Sequence, residues 1–362
     1  MRTGIATLPL HNGKAPRWLF ERMAKLSGAI IELMVIELGE AEVLARIADP
    51  FWFQAFGCVL GFDWHSSGLT TTTCGAIKEA MRIREKELGI YVSGGKGKTS
   101  RKTPEEIESR SDIIGDEKAK ELIYTSRMVA KIDSSAIQDG FQLYHHTFIF
   151  TKSGAWCVIQ QGMSEEKGLA RRYHWLYTPE LVFTVEPHKA ICSELFRDNV
   201  LNLVARDSVP AQKVITELSC ENPQKVLREI EKIQHLNLPA RHTMRANEDI
   251  NLKRLESVLV KTYWYRPRSF EELLSTEGVG PKTLRALALV SELIYNVAPS
   301  WKDPARFSFA HGGKDGIPYP VDRTTYDRTI EIIERAVKSA KMGDSFEKQT
   351  LRRINELFVP PQ

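Results

Sequence analysis

The sequence predicts an α+β protein that is mostly helical, with a small antiparallel β element in its N-terminal domain and a helix-hairpin-helix in its C-terminal domain. Apolar residues recur at helical spacing over most of the chain, which indicates amphipathic helices. Between about 141 and 163 the pattern changes to aromatic and β-branched residues around a link at 151–154, which is typical of a β-hairpin. Two apolar helical runs over about 270–297 flank a Gly-Val-Gly turn, which predicts the helix-hairpin-helix.

Length and composition bound the organisation of the chain. The 362 residues are enough for two packed domains, which we place at 1–190 and 191–362. A hydrophobic content of 42% and a charged content of 27% are ordinary for a globular protein and argue against disorder. The formal net charge of +4 is compatible with nucleic-acid binding without requiring it.

Cysteine usage and the apolar segments predict a cytoplasmic location. The five cysteines are scattered and form no C-x-x-C pair, which indicates reduced thiols and no standard zinc or iron–sulfur motif. The first residues lack the basic flank and apolar core of a secretory signal, so we expect none. The most apolar stretch, 29–38, is short and contains Glu32 and Glu37, so we expect no membrane span.

The N-terminal half carries one further segment with a possible binding role. Helices are predicted over 17–38, 40–47, 76–88 and 103–138, and another strand over 181–185. The glycine-rich stretch 93–102 predicts a flexible basic loop, in which Lys96 and Lys98 are candidates for contacts with DNA phosphates. Because Val92 stands where a P-loop needs glycine, we expect no ATP site there. The alternative is a solvated surface loop.

The C-terminal half reads as helical with one aromatic and basic connection. Helices are predicted over 193–204, 210–218, 223–236, 251–262, 325–340 and 345–358, with an irregular segment over 299–320. In the loop 263–268, Trp264, Arg266 and Arg268 combine a stacking ring with cations, a combination that suits nucleic acid. Arg171 and Arg172 lie beside aromatic residues in the same way, so they too are candidates for contacts with DNA. For both segments the alternative is an ordinary surface.

The predicted turn has its own chemistry. Gly278 and Gly280 allow a tight turn with exposed backbone amides, and Val279 between them is apolar. The helix that follows presents free N–H groups and the positive end of its dipole, which together bind anions. Lys282, Thr283 and Arg285 lie in its first turns, and two of them add positive charge. We therefore expect a clamp on DNA phosphates, the alternative being a plain connection between helices.

This stretch resembles a known enzyme family. Gly278-Val279-Gly280-Pro281-Lys282-Thr283 is similar to the hairpin of the DNA glycosylases in which a Gly/Pro-rich loop and an aspartate follow the hairpin. Pro320-Val321-Asp322 resembles the segment that supplies their catalytic aspartate. The resemblance implies damaged or abasic DNA as substrate, no cofactor, Lys282 as the Schiff-base lysine and Asp322 as its electrostatic partner. Lys282 would otherwise contact phosphate, and Asp322 would cap a helix. The two lie 40 residues apart, which implies an insertion around 299–317.

Two other classes of function stay open. A DNA nuclease would use Mg²⁺ or Mn²⁺, and the candidate ligands are the carboxylates and imidazoles of Asp63, His65, Asp139 and His145. Adjacent residues on a strand face opposite ways, so at most one of His145 and His146 joins such a site. A non-catalytic DNA-binding protein would use the hairpin alone.

The whole chain also resembles an uncharacterised family found in archaea and some bacteria. The resemblance rests on Arg2-Thr3-Gly4-Ile5, His65-Ser66-Ser67-Gly68 and Tyr144-His145-His146. It implies that the N-terminal part and the hairpin domain form one architecture, and it implies no activity.

Overall fold

The computed structural model describes residues 15–62, 67–164, 168–193, 198–234 and 251–306. Asp63, His65, Asp322 and the helices predicted over 325–340 and 345–358 lie outside the described residues.

Helices account for most of the described elements. In chain order they are α1 (Arg17–Leu38), α2 (Glu40–Ala48), α3 (Pro50–Val59), α4 (Gly68–Met81), α5 (Glu85–Leu88), α6 (Thr103–Glu108), α7 (Ser111–Ile114), α8 (Asp116–Lys131), α9 (Val209–Ser219), α10 (Pro223–Gln234), α11 (Leu252–Tyr265), α12 (Phe270–Ser275) and α13 (Pro281–Leu293). A π-helical turn, Ile132–Ala136, extends α8. None of the described helices combines the length and the apolar character needed to cross a membrane.

The strands form two sheets. They are β1 (Ile90–Lys96), β2 (Ile137–Gln138), β3 (Gln142–Thr151), β4 (Trp156–Ser164), β5 (Leu169–Leu176), β6 (Ala190–Cys192), β7 (Asp198–Asn202) and β8 (Ser300–Lys302). The larger sheet is antiparallel with the order β1-β3-β4-β5-β6, and the smaller has the order β2-β7-β8. The mixed fold of helices and antiparallel strands is as predicted, and β3–β4 is the predicted hairpin.

The five-stranded sheet is buried on both faces because alternate side chains enter two different hydrophobic cores. Ile149 and Ile159 pack with the helices α1 to α4, and we call this side the α1–α4 face. Phe148, Val158 and Trp175 pack with α8 and the later helices, and we call this side the α8 face. Strand β1 is an edge of this sheet.

The core on the α8 face crosses residue 190, where we predicted a domain boundary. It includes Leu122 and Trp156 from the first half and Leu227, Leu274 and Leu287 from the second. The small sheet likewise pairs β2 with β7 and β8. The described residues on either side of 190 therefore do not form separate cores.

Several local predictions were wrong. The single helix predicted over 103–138 is divided into α6, α7 and α8 and ends in the strand β2. Residues 181–185 form turns instead of a strand. The range 193–204, predicted to be a helix, contains the strand β7. The segment 299–320, predicted to be irregular, contains β8. Strands as short as β7 and β8 gain their stability from each other and from β2 across long sequence separations, so local pattern does not reveal them.

The basic segment after residue 93 is not a flexible loop. Strand β1 continues through Lys96, and a 3-10 turn, Gly97–Lys102, follows. Gly94 has a φ of 89°, and a Cβ there would collide with the carbonyl oxygen of His146 on β3. Close packing against the neighbouring strand is therefore what requires glycine at this position.

Candidate nucleic-acid interface

The segment from α12 to α13 is built by local signals. Ser269 caps α12, because its hydroxyl accepts the N–H of Glu272 at 3.1 Å. The chain then turns at Gly278, whose φ of 90° lies in the left-handed region that favours glycine. Gly280 is extended at the N-terminus of α13, and Pro281 occupies the first turn, where its missing N–H costs no hydrogen bond. We call residues 276–283 the α12–α13 turn.

The α12–α13 turn exposes its backbone and buries its apolar side chains. Gly278 and Lys282 are exposed, whereas Val279 and Leu284 belong to the core on the α8 face. Val279, a predicted DNA contact, is a correction, because the residue is buried and its N–H is donated to the carbonyl oxygen of Thr276 at 3.2 Å. The side chain of Thr283 is buried as well, so Thr283 can contact a ligand only through its backbone. The first N–H groups of an α-helix have no partner within the helix, and here they begin beside an exposed lysine. This arrangement presents donors and positive charge together.

Helix α11 lies under the α12–α13 turn. A Cβ built on Gly278 would come within 3.2 Å of Cγ2 of Val258, so the turn packs closely on this helix. Lys261 pairs with Glu277 at 3.2 Å. Both groups are well exposed, and such a surface pair contributes little stability, but it partly neutralises the one carboxylate within the turn.

Gln138, at the end of β2, holds the start of α13 through hydrogen bonds. Its side-chain Nε2 donates to the carbonyl oxygen of Pro281 at 2.8 Å and to that of Ser135 at 3.0 Å. Its Oε1 accepts a hydrogen bond from Nε of Arg285 at 2.6 Å. Arg285, a predicted DNA contact, is therefore half-buried and oriented by Gln138.

The aromatic and basic residues after α11 lie at the surface. Trp264, Arg266 and Arg268 are all exposed. Arg266 has a φ of 53° and ends α11, and its guanidinium lies 5.6 Å from the ring centroid of Tyr263. The positions predicted to meet nucleic acid are thus accessible in this segment.

Lys96 and Lys98 are exposed as well, at the end of the edge strand β1 and in the 3-10 turn that follows. The ammonium of Lys96 lies 5.8 Å from the ring centroid of Tyr144. Both lysines are accessible to a polyanion.

Arg171 is a correction, because a fully buried guanidinium cannot contact DNA. It faces the α8 side, where NH1 bonds Asp139 at 2.9 Å and NH2 bonds Asp303 at 2.7 Å. Tyr173 donates its hydroxyl to the same Asp139 oxygen at 2.6 Å. Burial alone would lower the pKa of Arg171, but the two carboxylates outweigh it and raise that pKa. This cluster joins β5 to the segment after β8 and is structural.

Arg172 is a correction for the same reason, on the opposite face. It is fully buried on the α1–α4 side, and its guanidinium lies 4.8 Å from the ring centroid of Phe53. NH1 donates to Thr70 at 3.3 Å and NH2 to Gln54 at 3.1 Å, so it ties β5 to α3 and α4. Neither arginine of the predicted basic segment is available to a nucleic acid.

Of the predicted metal ligands, Asp139 and His145 lie within the described residues, and the structure does not bring these two together. His145 pairs in register with Gln161, which pairs with Arg172, so His145 belongs to the α1–α4 face. Asp139, bound to Arg171, lies on the α8 face, on the other side of the sheet. Burial lowers the pKa of His145 to about 3, which keeps its imidazole neutral. Within the described ranges no group of three or more His, Cys, Asp or Glu could hold a metal ion.

A family model described as "Protein of unknown function (DUF763)" matches residues 4–321. The chain belongs to this family. The matched range contains the five-stranded sheet and the α12–α13 turn, and it ends one residue before Asp322. Neither the curated proteins nor the solved structures that were searched contain a match.

Sequence reasoning missed a buried polar network centred on Asp133 in this DUF763 chain. Asp133, on the π-helical turn, is fully buried and accepts hydrogen bonds from Gln160, Trp175 and His188. Gln160 also bonds His146 at 2.8 Å. An aspartate followed by two serines carries no motif, so no sequence signal could have found this network or Gln138.

Proposed function

We propose that this protein is a DNA-processing enzyme that holds the DNA backbone at the α12–α13 turn. The observation that carries the proposal is the exposed Gly278 and Lys282 at the N-terminus of a 13-residue helix whose apolar residues are buried. Exposed amides, a helix dipole and a lysine are what a phosphate requires, and they recognise backbone without reading bases. Exposed Lys96, Lys98, Arg266 and Arg268 supply further positive charge. DNA binding would place the protein at the nucleoid.

The chemistry we propose is that of a DNA glycosylase/AP lyase. The amine of Lys282 would attack C1′ of the open-chain sugar at an abasic site, forming an imine with loss of water. Removal of a C2′ proton then expels the 3′ phosphate and breaks the strand, and water releases the lysine. Asp322, which lies outside the described residues, would stabilise positive charge on the sugar when a base leaves. Lys282 is exposed, so its amine is accessible to the sugar of a bound nucleotide.

Phosphate binding is tested by Lys282→Ala on duplex DNA across a salt titration. We expect weaker binding for every sequence and a slope of log affinity against log salt that is shallower by about 1. Lys86→Ala, which removes an exposed lysine from α5, is the matched control and should leave both quantities unchanged. Equal behaviour of the two variants would refute the clamp.

The lyase chemistry is tested by borohydride trapping on an abasic duplex. Reduction of the imine should yield a covalent adduct that Lys282→Ala abolishes, whereas Lys86→Ala retains it. No adduct with abasic or base-damaged substrates would leave a non-catalytic DNA-binding protein. Cleavage that EDTA stops would instead support the metal-dependent nuclease, since imine formation needs no metal.

A further inference from the structure

The C-terminal end of α11 exposes two large aromatic side chains. Trp264 is 79% exposed and Tyr265 is 58% exposed. Large aromatic rings normally contribute to cores and interfaces, so two neighbouring exposed rings mark a binding surface more often than a single apolar residue does.

These rings lie beside the α12–α13 turn. Val258 of α11 packs under Gly278, and Lys261 pairs with Glu277, so this side of α11 borders the turn. Trp264 follows Lys261 by three residues, and residues at that spacing are neighbours on a helix surface. The Cα of Trp264 therefore lies about one helical turn, roughly 5 Å along the axis, from the Cα of Lys261, whose side chain contacts the turn.

The position of Trp264 is defined by its neighbours. Its ring meets Tyr263 edge to face, with ring centroids 5.8 Å apart. Arg266 stacks on Tyr263 in turn, and its N–H bonds the carbonyl oxygen of Thr262 at 2.8 Å, which ends the helix directly after Tyr265. The indole is braced on one edge while most of its surface stays exposed.

The charges around this surface favour a polyanion. Arg266 and Arg268 are exposed beside Trp264. Of the nearby carboxylates, Glu271 accepts the hydroxyl of Tyr124 at 2.7 Å and Glu272 accepts the N–H of Arg268 at 2.8 Å. Cations interleaved with aromatic rings are the pattern of proteins that bind unstacked bases.

From this juxtaposition we infer that Trp264 is a stacking platform for an unpaired base whose neighbouring phosphate binds the α12–α13 turn. The substrate class is accordingly DNA with a single-stranded or unstacked nucleotide, in preference to fully paired duplex. Every base has a π face, so the platform carries no sequence preference. This inference rests on the proposed phosphate clamp and adds the base subsite to it.

The test compares three fluorescent ligands of equal length by anisotropy: an oligothymidylate, a duplex, and an oligomer of abasic tetrahydrofuran nucleotides. The last has the backbone without bases. Trp264→Ala should weaken oligothymidylate binding by about 5- to 100-fold and leave the abasic oligomer within about 2-fold. Trp264→Phe should restore most of the loss. Trp18→Ala, which removes a tryptophan that is 57% exposed on α1, is the matched control and should change nothing.

Each result decides between the alternatives. Equal losses on the oligothymidylate and the abasic oligomer, or equal behaviour of the two tryptophan variants, would overturn the base platform. Lys282→Ala should weaken all three ligands. If it weakens none while Trp264→Ala still acts only on the oligothymidylate, the phosphate clamp fails and the platform stands. Failure of the wild-type protein to bind any of the three ligands would overturn both the phosphate clamp and the base platform. The exposed rings would then be a surface for a protein partner.

Discussion

The carboxamide of Gln138 forms hydrogen bonds with two residues of α13. Its oxygen accepts from Nε of Arg285 at 2.6 Å, and its nitrogen donates to the carbonyl oxygen of Pro281 at 2.8 Å. The link runs from β2, next to the buried π-helical turn, to the residues that we propose to bind DNA. The small sheet therefore helps to position the first turns of α13.

Gln138→Ala should loosen this clamp. A hydrogen bond to a charged group contributes about 1.5–3 kcal/mol, but Gln138 is partly exposed, so we expect a smaller loss of stability, roughly 1–2 kcal/mol, and weaker duplex binding. Urea unfolding and anisotropy measure the two effects. Gln142→Ala, at an exposed position at the start of β3, is the control and should leave both unchanged. Unaltered DNA affinity in Gln138→Ala would contradict a positioning role.

Gly278→Ala should destabilise the turn more than Gly280→Ala. Gly278 has a φ of 90°, and its added Cβ would lie 3.2 Å from Val258, whereas Gly280 is extended with its nearest contact at 4.0 Å. Left-handed backbone costs a residue with a side chain about 1–2 kcal/mol. Thermal unfolding of both variants checks this order, and equal melting temperatures would refute it.

Asp139→Ala should be strongly destabilising. It removes one carboxylate from Arg171 and the acceptor from Tyr173, all inside the core. Breaking a buried ion pair costs about 3–5 kcal/mol, because a desolvated charge loses its partner. The denaturation midpoint measures the effect. Glu117→Ala, which breaks the exposed pair with Lys120, should leave the midpoint unchanged. A small change in Asp139→Ala would mean that Asp303 alone balances Arg171.

Stability should fall between pH 7 and pH 5. Burial, with smaller contributions from His146 and Lys96, lowers the pKa of His145 to about 3, whereas an unfolded histidine titrates near 6.5. In this window the unfolded state binds more protons, so folding loses free energy as the pH falls, by roughly 2 kcal/mol at pH 5 for this residue. His145→Gln should reduce the pH dependence of the urea midpoint. An identical dependence in both proteins would contradict the assignment.

Elements governed by neighbouring residues were predictable from the chain alone. The β3–β4 hairpin follows from aromatic and β-branched residues on either side of a short link, and the α12–α13 turn follows from Gly278, Gly280 and Pro281. Alternation also requires His145 and His146 to face opposite sides, and the structure confirms it, since His146 bonds Gln160 within the α8 face. Each of these signals acts over a few residues, where backbone sterics and side-chain periodicity decide the conformation.

Burial and long-range pairing were decided by tertiary structure. Arg171 and Arg172 carry the charge that is typical of a surface segment, yet the sheet buries each of them in a different core. Arg171 binds Asp303 there and Arg172 binds Gln54, and both partners lie more than a hundred residues away in the chain. The small sheet and the link from Gln138 to α13 arise in the same way. Charge and spacing in a sequence tell which groups a chain can offer. Only packing decides which of them reach solvent, because the cost of burying a charge depends on the partners that the fold supplies.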